Sequence, residues 1–268
     1  MNVAQINIID VYFGVNEEKG IHEIGRDIRF SAVYEVDIDI QQLESKLIDE
    51  IMQKKGDGIK VEINSFENNH YVDVYLLLGE EQEDDKFNID FILEFLQQFQ
   101  RHDLKINKYN EKNYDKFIYA RYAPGDYEDI SNFLQEEGIE FQLLSKTRNT
   151  FERGASDFWE GFLIAMGQSA SWDLVKMTAS KIKNRYNGSF RSIEVACLDV
   201  GKLRENLADL AVVDQQDLRL ISFFEIDNDQ ETYEVHFRTI HEKFDVQSNK
   251  SGTILKFDRY DIREVVAD

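Results

Sequence analysis

Histidine and cysteine are where metal chemistry would show first. His236 and His241 form the closest histidine pair, but five residues apart on an expected strand they point to opposite faces. Zinc takes three or four Cys, His or carboxylate ligands at short recurrent spacings. The single cysteine, Cys197, and the scattered His22, His70 and His102 do not supply them. Asp227, Asp229 and Glu231 open like a calcium loop, whose oxygens must converge on one hard cation. Thr232 then stands where glycine should make the turn, and Arg238 where a bidentate glutamate belongs, so the run reads as a solvated hairpin tip.

Magnesium-dependent nuclease chemistry needs carboxylates that hold the ion beside a lysine that positions water. Asp10, Glu17 and Lys19 are the nearest approach, but one short turn separates the acids, where paired strands would be needed. There is no P-loop lysine motif and no dinucleotide glycine fingerprint. Ser169 and Ser171 lack the flanking glycines that expose a nucleophile on a sharp elbow. No cofactor, metal or catalytic group is implied.

Charge is the stronger signal. The chain carries 52 acids against 31 bases, a net charge of −21, and residues 1–140 hold −17 of it while residues 141–268 hold −4. The acidic run Glu80, Glu81, Glu83, Asp84 and Asp85 precedes an expected helix, where it suits the positive N-terminus. It also offers a negative surface that speeds encounter with a basic protein. Lys181, Lys183 and Arg185, with Lys176 and Arg191, make the opposite patch at a helix end that favours cations in any case. Overall repulsion of phosphate argues against direct nucleic-acid binding, which relies on clustered Lys and Arg.

The elements that must position these groups follow from periodicity. Val3 to Val15 and Ile28 to Ile40 read as strands, and Leu43, Leu47, Ile48, Ile51 and Met52 give a helix over 41–55 that Gly56 and Gly58 stop. Strands at Ile59 to Phe66 and Tyr71 to Leu78 and a helix over 89–100 repeat the order strand, strand, helix. A strand at Lys116 to Tyr122, a helix near 127–137 and a strand at Ile139 to Leu144 come next. Strands are expected again at Ser189 to Leu198, Leu218 to Ile226, Thr232 to Thr239 and Thr253 to Phe257, with a short helix near Lys202 to Leu210.

Between them, Phe158, Phe162, Met166, Ala170, Leu174, Thr178 and Ile182 fall four apart, which predicts a long helical stretch over 155–186, with Gly167 a point where it could bend or divide and Ser171 a candidate cap for a second helix. Phe158, Trp159 and Phe162, with Leu163 and Met166, crowd large apolar groups into nine residues, a composition that suits a subunit or partner interface. A helix sandwiched between two modules would bury the same residues within one chain.

The expected fold class is α+β: two mixed α/β modules with largely antiparallel sheets, joined by a long helical segment. The boundaries are an acidic module at 1–145, a helical connector at 146–188 and a second module at 189–268. With 42% hydrophobic residues and one proline the chain can offset its chain entropy and fold. The lone thiol suits a reducing compartment, and no signal peptide or membrane span is evident, which points to the cytoplasm. The functional expectation is a non-enzymatic interaction or regulatory protein of a bacterial or phage cytoplasm, acting on a protein partner or as a homo-oligomer, without integral membrane association. The alternatives are a DNA mimic that occupies a nucleic-acid-binding enzyme, and an enzyme whose site is assembled from distant residues.

Overall fold

The computed structural model of the chain describes residues 2–16, 20–56, 58–79, 87–101, 114–122, 128–152, 159–167, 169–185, 190–227 and 231–261. Among them are thirteen strands and five α-helices in a mixed, strand-rich α/β arrangement. The contacts divide the chain into two compact units that interleave in sequence: Met1–Ile106 with Arg148–Phe158 and Ile262–Asp268, and Asn107–Thr147 with Trp159–Asp261.

In the first unit, β1 (Asn2–Asn16) pairs antiparallel with β2 (Gly20–Val36) and parallel with β4 (Asn69–Gly79), which in turn pairs antiparallel with β3 (Ile59–Phe66). The short β5 (Gln100–Arg101) edges β2, and β7 (Phe141–Glu152), whose residues from Arg148 onward belong to this unit, lies next to β3. The helices α1 (Ile40–Lys55) and α2 (Asp90–Leu96) supply Leu43, Leu47, Ile51, Ile92 and Leu96 to one core with Ala4, Ile6, Ile8, Val61, Ile63, Val72 and Val74. Asp39 caps α1 by accepting from the Gln41 amide at 2.8 Å, and Gly56, at φ +92°, ends it.

At Gln5 and Asn7 the opposite face of β1 is polar and buried, before it turns apolar at Ile9 and Val11. Asn7 donates to Asp73 at 2.7 Å and accepts from Ser31 at 2.7 Å, and Gln5 reaches Ser31 at 3.2 Å. Such a network ties β2, β1 and β4 in one register, because a one-residue slip would carry it to the apolar face.

In the second unit, the rest of β7 is followed in strand order by β8 (Trp159–Met166), β6 (Lys116–Tyr122) and β9 (Phe190–Cys197). Phe162, Ile164 and Met166 pack with α3 (Glu128–Glu136) and α4 (Trp172–Arg185), while Leu163 and Ala165 face a second core. That second core is completed by α5 (Val200–Ala211) and by an antiparallel sheet of β10 (Arg219–Asp227), β11 (Thr232–Arg238), β12 (Glu242–Asn249) and β13 (Ile254–Asp261).

The helical stretch expected over 155–186 is therefore a strand followed by a helix. It divides near Gly167, and Ser171 accepts from the Leu174 amide at 3.2 Å at the start of that helix, as a cap should, but the first half is not helical. β8 is buried on both faces, and a strand in that position reads as a continuous apolar run without alternation, which periodicity does not distinguish from a helix. The segment 146–188 accordingly holds strand as well as helix.

Candidate functional site

Trp159 opens β8, half-buried, and the Arg121 guanidinium from neighbouring β6 sits 5.1 Å above its ring. Arg121 also meets Phe224 on β10 at 5.9 Å, so the cation is shared by two aromatic rings. Gly161 makes this possible. A Cβ there would stand 2.5 Å from the Tyr119 hydroxyl oxygen, and Tyr119 seats Phe224 edge-on at 5.5 Å.

Two carboxylates act on one another beside this group. Glu194 lies opposite Tyr119 in the β6–β9 register, and Glu225 follows Phe224 in sequence. Burial chiefly pushes the Glu194 carboxyl up, and the Glu225 carboxylate adds to it; the Arg121 guanidinium and a hydrogen bond from the Glu225 backbone N–H pull back. Phe224 also packs edge-on against His236 at 5.7 Å. His236 Nδ1 lies 2.6 Å from Asp245 on β12, and Glu234 is 3.9 Å from its Nε2. Burial by itself would raise Asp245. The hydrogen bond and charge of His236, with a further bond from Tyr260, outweigh it and hold the carboxyl below its usual range.

The arrangement is an aromatic and arginine platform with surplus negative charge around it. It provides no ligand set: among the described residues no group of three or more His, Cys, Asp and Glu side chains could hold a metal ion. A cleft of about 270 Å³ lined by Tyr114, Glu140, Phe141, Gln142 and Gly167 lies at the small end of ligand pockets, which run from roughly 300 Å³ upward.

Of the residues singled out in the sequence as partner-binding, Trp159 alone falls in this site. Phe162 is in the core under α3 and α4 with Met166, and Leu163 is in the second core, so none of the three offers a docking surface. Phe158 and the acidic run Glu80, Glu81, Glu83, Asp84 and Asp85 lie outside the described residues. Lys181, Lys183 and Arg185 are on the last turns of α4, where Lys181 pairs with Glu137 and Arg185 stands 3.8 Å from Glu136 and 4.8 Å over Phe133. Two of these three cations thus answer the acidic end of α3. Lys176 covers the Trp172 ring at 5.3 Å.

Asp10, the described member of the nuclease-like trio, is buried and bound to Arg29 at 2.7 Å, while Glu17 and Lys19 lie outside the described residues. His236 is engaged by Asp245, and the His241 backbone N–H donates to Thr239 Oγ1. Sequence reasoning missed Arg121, Glu194, Phe224 and Asp245. Asp245 had a local signal, since Phe244, Asp245, Val246 and Gln247 alternate as a half-buried strand should; Arg121 and Glu194 meet through the pairing of β6 with β9, and Phe224 reaches them from the other sheet.

Among the described residues no helix is long and apolar enough to cross a membrane. Comparisons with protein-family models, with curated proteins and with solved structures return no match.

Proposed function

We propose that the chain is a non-enzymatic interaction or regulatory protein that receives a basic segment of a protein partner on the Trp159–Arg121–Phe224 platform. One observation carries this reading: the Arg121 guanidinium, shared by the Trp159 and Phe224 rings, stands beside two neighbouring carboxylates, Glu194 and Glu225, and burial followed by Glu225 raises the Glu194 carboxyl from its ordinary value. A lysine or arginine from a partner would relieve that repulsion, and Trp, Tyr and Arg are the residue types that dominate interface energetics. The net charge of −21 works in the same direction by steering a basic partner toward the chain.

The test is a titration of the Glu194 carboxyl by NMR, with and without a lysine-rich peptide, while the Trp159 emission is followed. Binding should bring Glu194 down toward the ordinary carboxylate range, perturb the tryptophan and weaken as salt rises. Glu194→Gln with Glu225→Gln should abolish the response. A peptide that binds with Glu194 and Trp159 unmoved, or equally well to the double variant, would show that the platform is not the docking site.

A further inference from the structure

β13 pairs with β12 on one side and stands last in its sheet, so its other edge bonds no strand among the described residues. It is eight residues long, and Leu255, Lys256, Asp258, Arg259 and Tyr260 are all exposed. An open edge of that length is a template for another strand unless its charges prevent it. We infer that the occupant is the β13 of a second copy, added antiparallel about a two-fold axis at Phe257.

The charge pattern favours that axis over one shifted by a residue either way. Val246 lies on the core face of β12 and pairs with Phe257, whereas Asp245 and Gln247 on the opposite face pair with Asp258 and Lys256. A two-fold axis perpendicular to the sheet keeps the two core faces on one side. It must set a residue against its own copy, because directly opposed side chains share a face. Centred on Phe257, it sets Lys256 opposite Asp258 of the second copy, twice. Centred on Lys256 or on Asp258, it sets that charge against itself, and centred on Arg259 it does the same. Opposite charges directly across strands stabilise pairing and like charges oppose it.

Within one chain Lys256 and Asp258 already bridge at 2.8 Å along the strand, so both side chains stand on the same face for the exchange. The second unit, Asn107–Thr147 with Trp159–Asp261, carries −7 of the chain's net charge of −21, so pairing at β13 meets less of the repulsion that the first unit would impose. This pairing is independent of the basic partner proposed for the platform, and either can fail alone.

Sedimentation equilibrium on the full chain, with Lys256→Asp and Asp258→Lys prepared separately, tests it. The wild type should dimerise, and each variant alone should weaken the dimer by roughly tenfold or more, because two attractive pairs become repulsive. Mixed in equal amounts, the two variants should associate again as a heterodimer. One variant then carries carboxylates at both positions 256 and 258, the other ammonium groups at both, and each carboxylate faces an ammonium across the axis. Thermal unfolding of each variant, at a concentration where every chain is monomeric, should match the wild type because both positions are exposed. A wild type that stays monomeric at about 100 µM, a dimer indifferent to either substitution, or a mixture that does not reassociate would overturn the inference.

Discussion

Thr150 Oγ1 donates a 2.6 Å hydrogen bond to Glu44 Oε1 across 106 residues of chain. The other Glu44 oxygen lies 2.8 Å from Arg148 Nε, and Glu44 is buried on α1. A helix near the start of the chain thereby holds the later residues Arg148 and Thr150 within the first unit.

Removing that carboxylate should be costly, because it leaves a largely buried guanidinium without this counter-charge. Glu44→Ala is expected to destabilise the first unit by about 3 kcal/mol or more, and Glu44→Gln by less, since the amide oxygen still accepts from Thr150. Both tryptophans, Trp159 and Trp172, belong to the second unit. Hydrogen exchange in α1 and β1 should therefore accelerate more than the tryptophan-detected urea transition shifts; equal changes in both would contradict a local role.

Gly161 is the tightest glycine in the site. Besides the hydroxyl contact, an added Cβ would lie 3.0 Å from Cε2 and Cζ of Tyr119, in a central strand that does not yield easily. Gly161→Ala should destabilise by about 1–3 kcal/mol in chemical denaturation, the usual range for overpacking. Tyr119→Phe in the same chain should recover part of the loss by deleting the nearest atom, and no recovery would place the strain elsewhere.

Val212 ends α5 in the left-handed region, at φ 57° and ψ 49°, and is 89% exposed. A β-branched residue is strained there, and its side chain gains almost nothing from packing. Val212→Gly or Val212→Asn should raise stability by about 1 kcal/mol, read as an upward shift in melting temperature. A fall would mean that the valine makes a contact worth more than its strain.

Burial, followed by the carboxylates of Asp10 and Asp27, pushes the Tyr12 phenol up to about 12 from its ordinary 10.0. The folded state thus keeps the proton that the unfolded chain releases first. The stability from this group is complete below pH 10.0 and is lost as pH rises toward about 12. Tyr12→Phe should flatten the decline in stability over that interval; an unchanged slope would assign the alkaline loss to other groups.

Much of the fold is legible where one rule suffices. The strands Ile59–Phe66 and Lys116–Tyr122 match their expected spans, and α1 ends where Gly56 permits the positive φ. β8 defeats the same reasoning because burial on both faces erases the alternation, and the four-residue spacing from Phe158 to Ile182 runs by coincidence through a strand and a helix. The site is less legible than the fold. Arg121, Trp159 and Phe224 come from three strands of two sheets, and their stacking depends on strand order, on the packing of one sheet against the other and on the missing Cβ of Gly161, none of which leaves a local pattern.

The interleaving of the two units sets an order of events during synthesis. At roughly 5–20 residues per second, several seconds separate the emergence of β3 from that of Arg148 and Thr150, which join the first unit from later in the chain. Until then the β3 edge and the Glu44 carboxylate wait on the ribosome without their native neighbours, in a nascent chain rich in exposed apolar strands. That interval is when a chaperone would have most to protect, so depletion of ribosome-associated holdases should lower the soluble yield more than it lowers the stability of the finished protein.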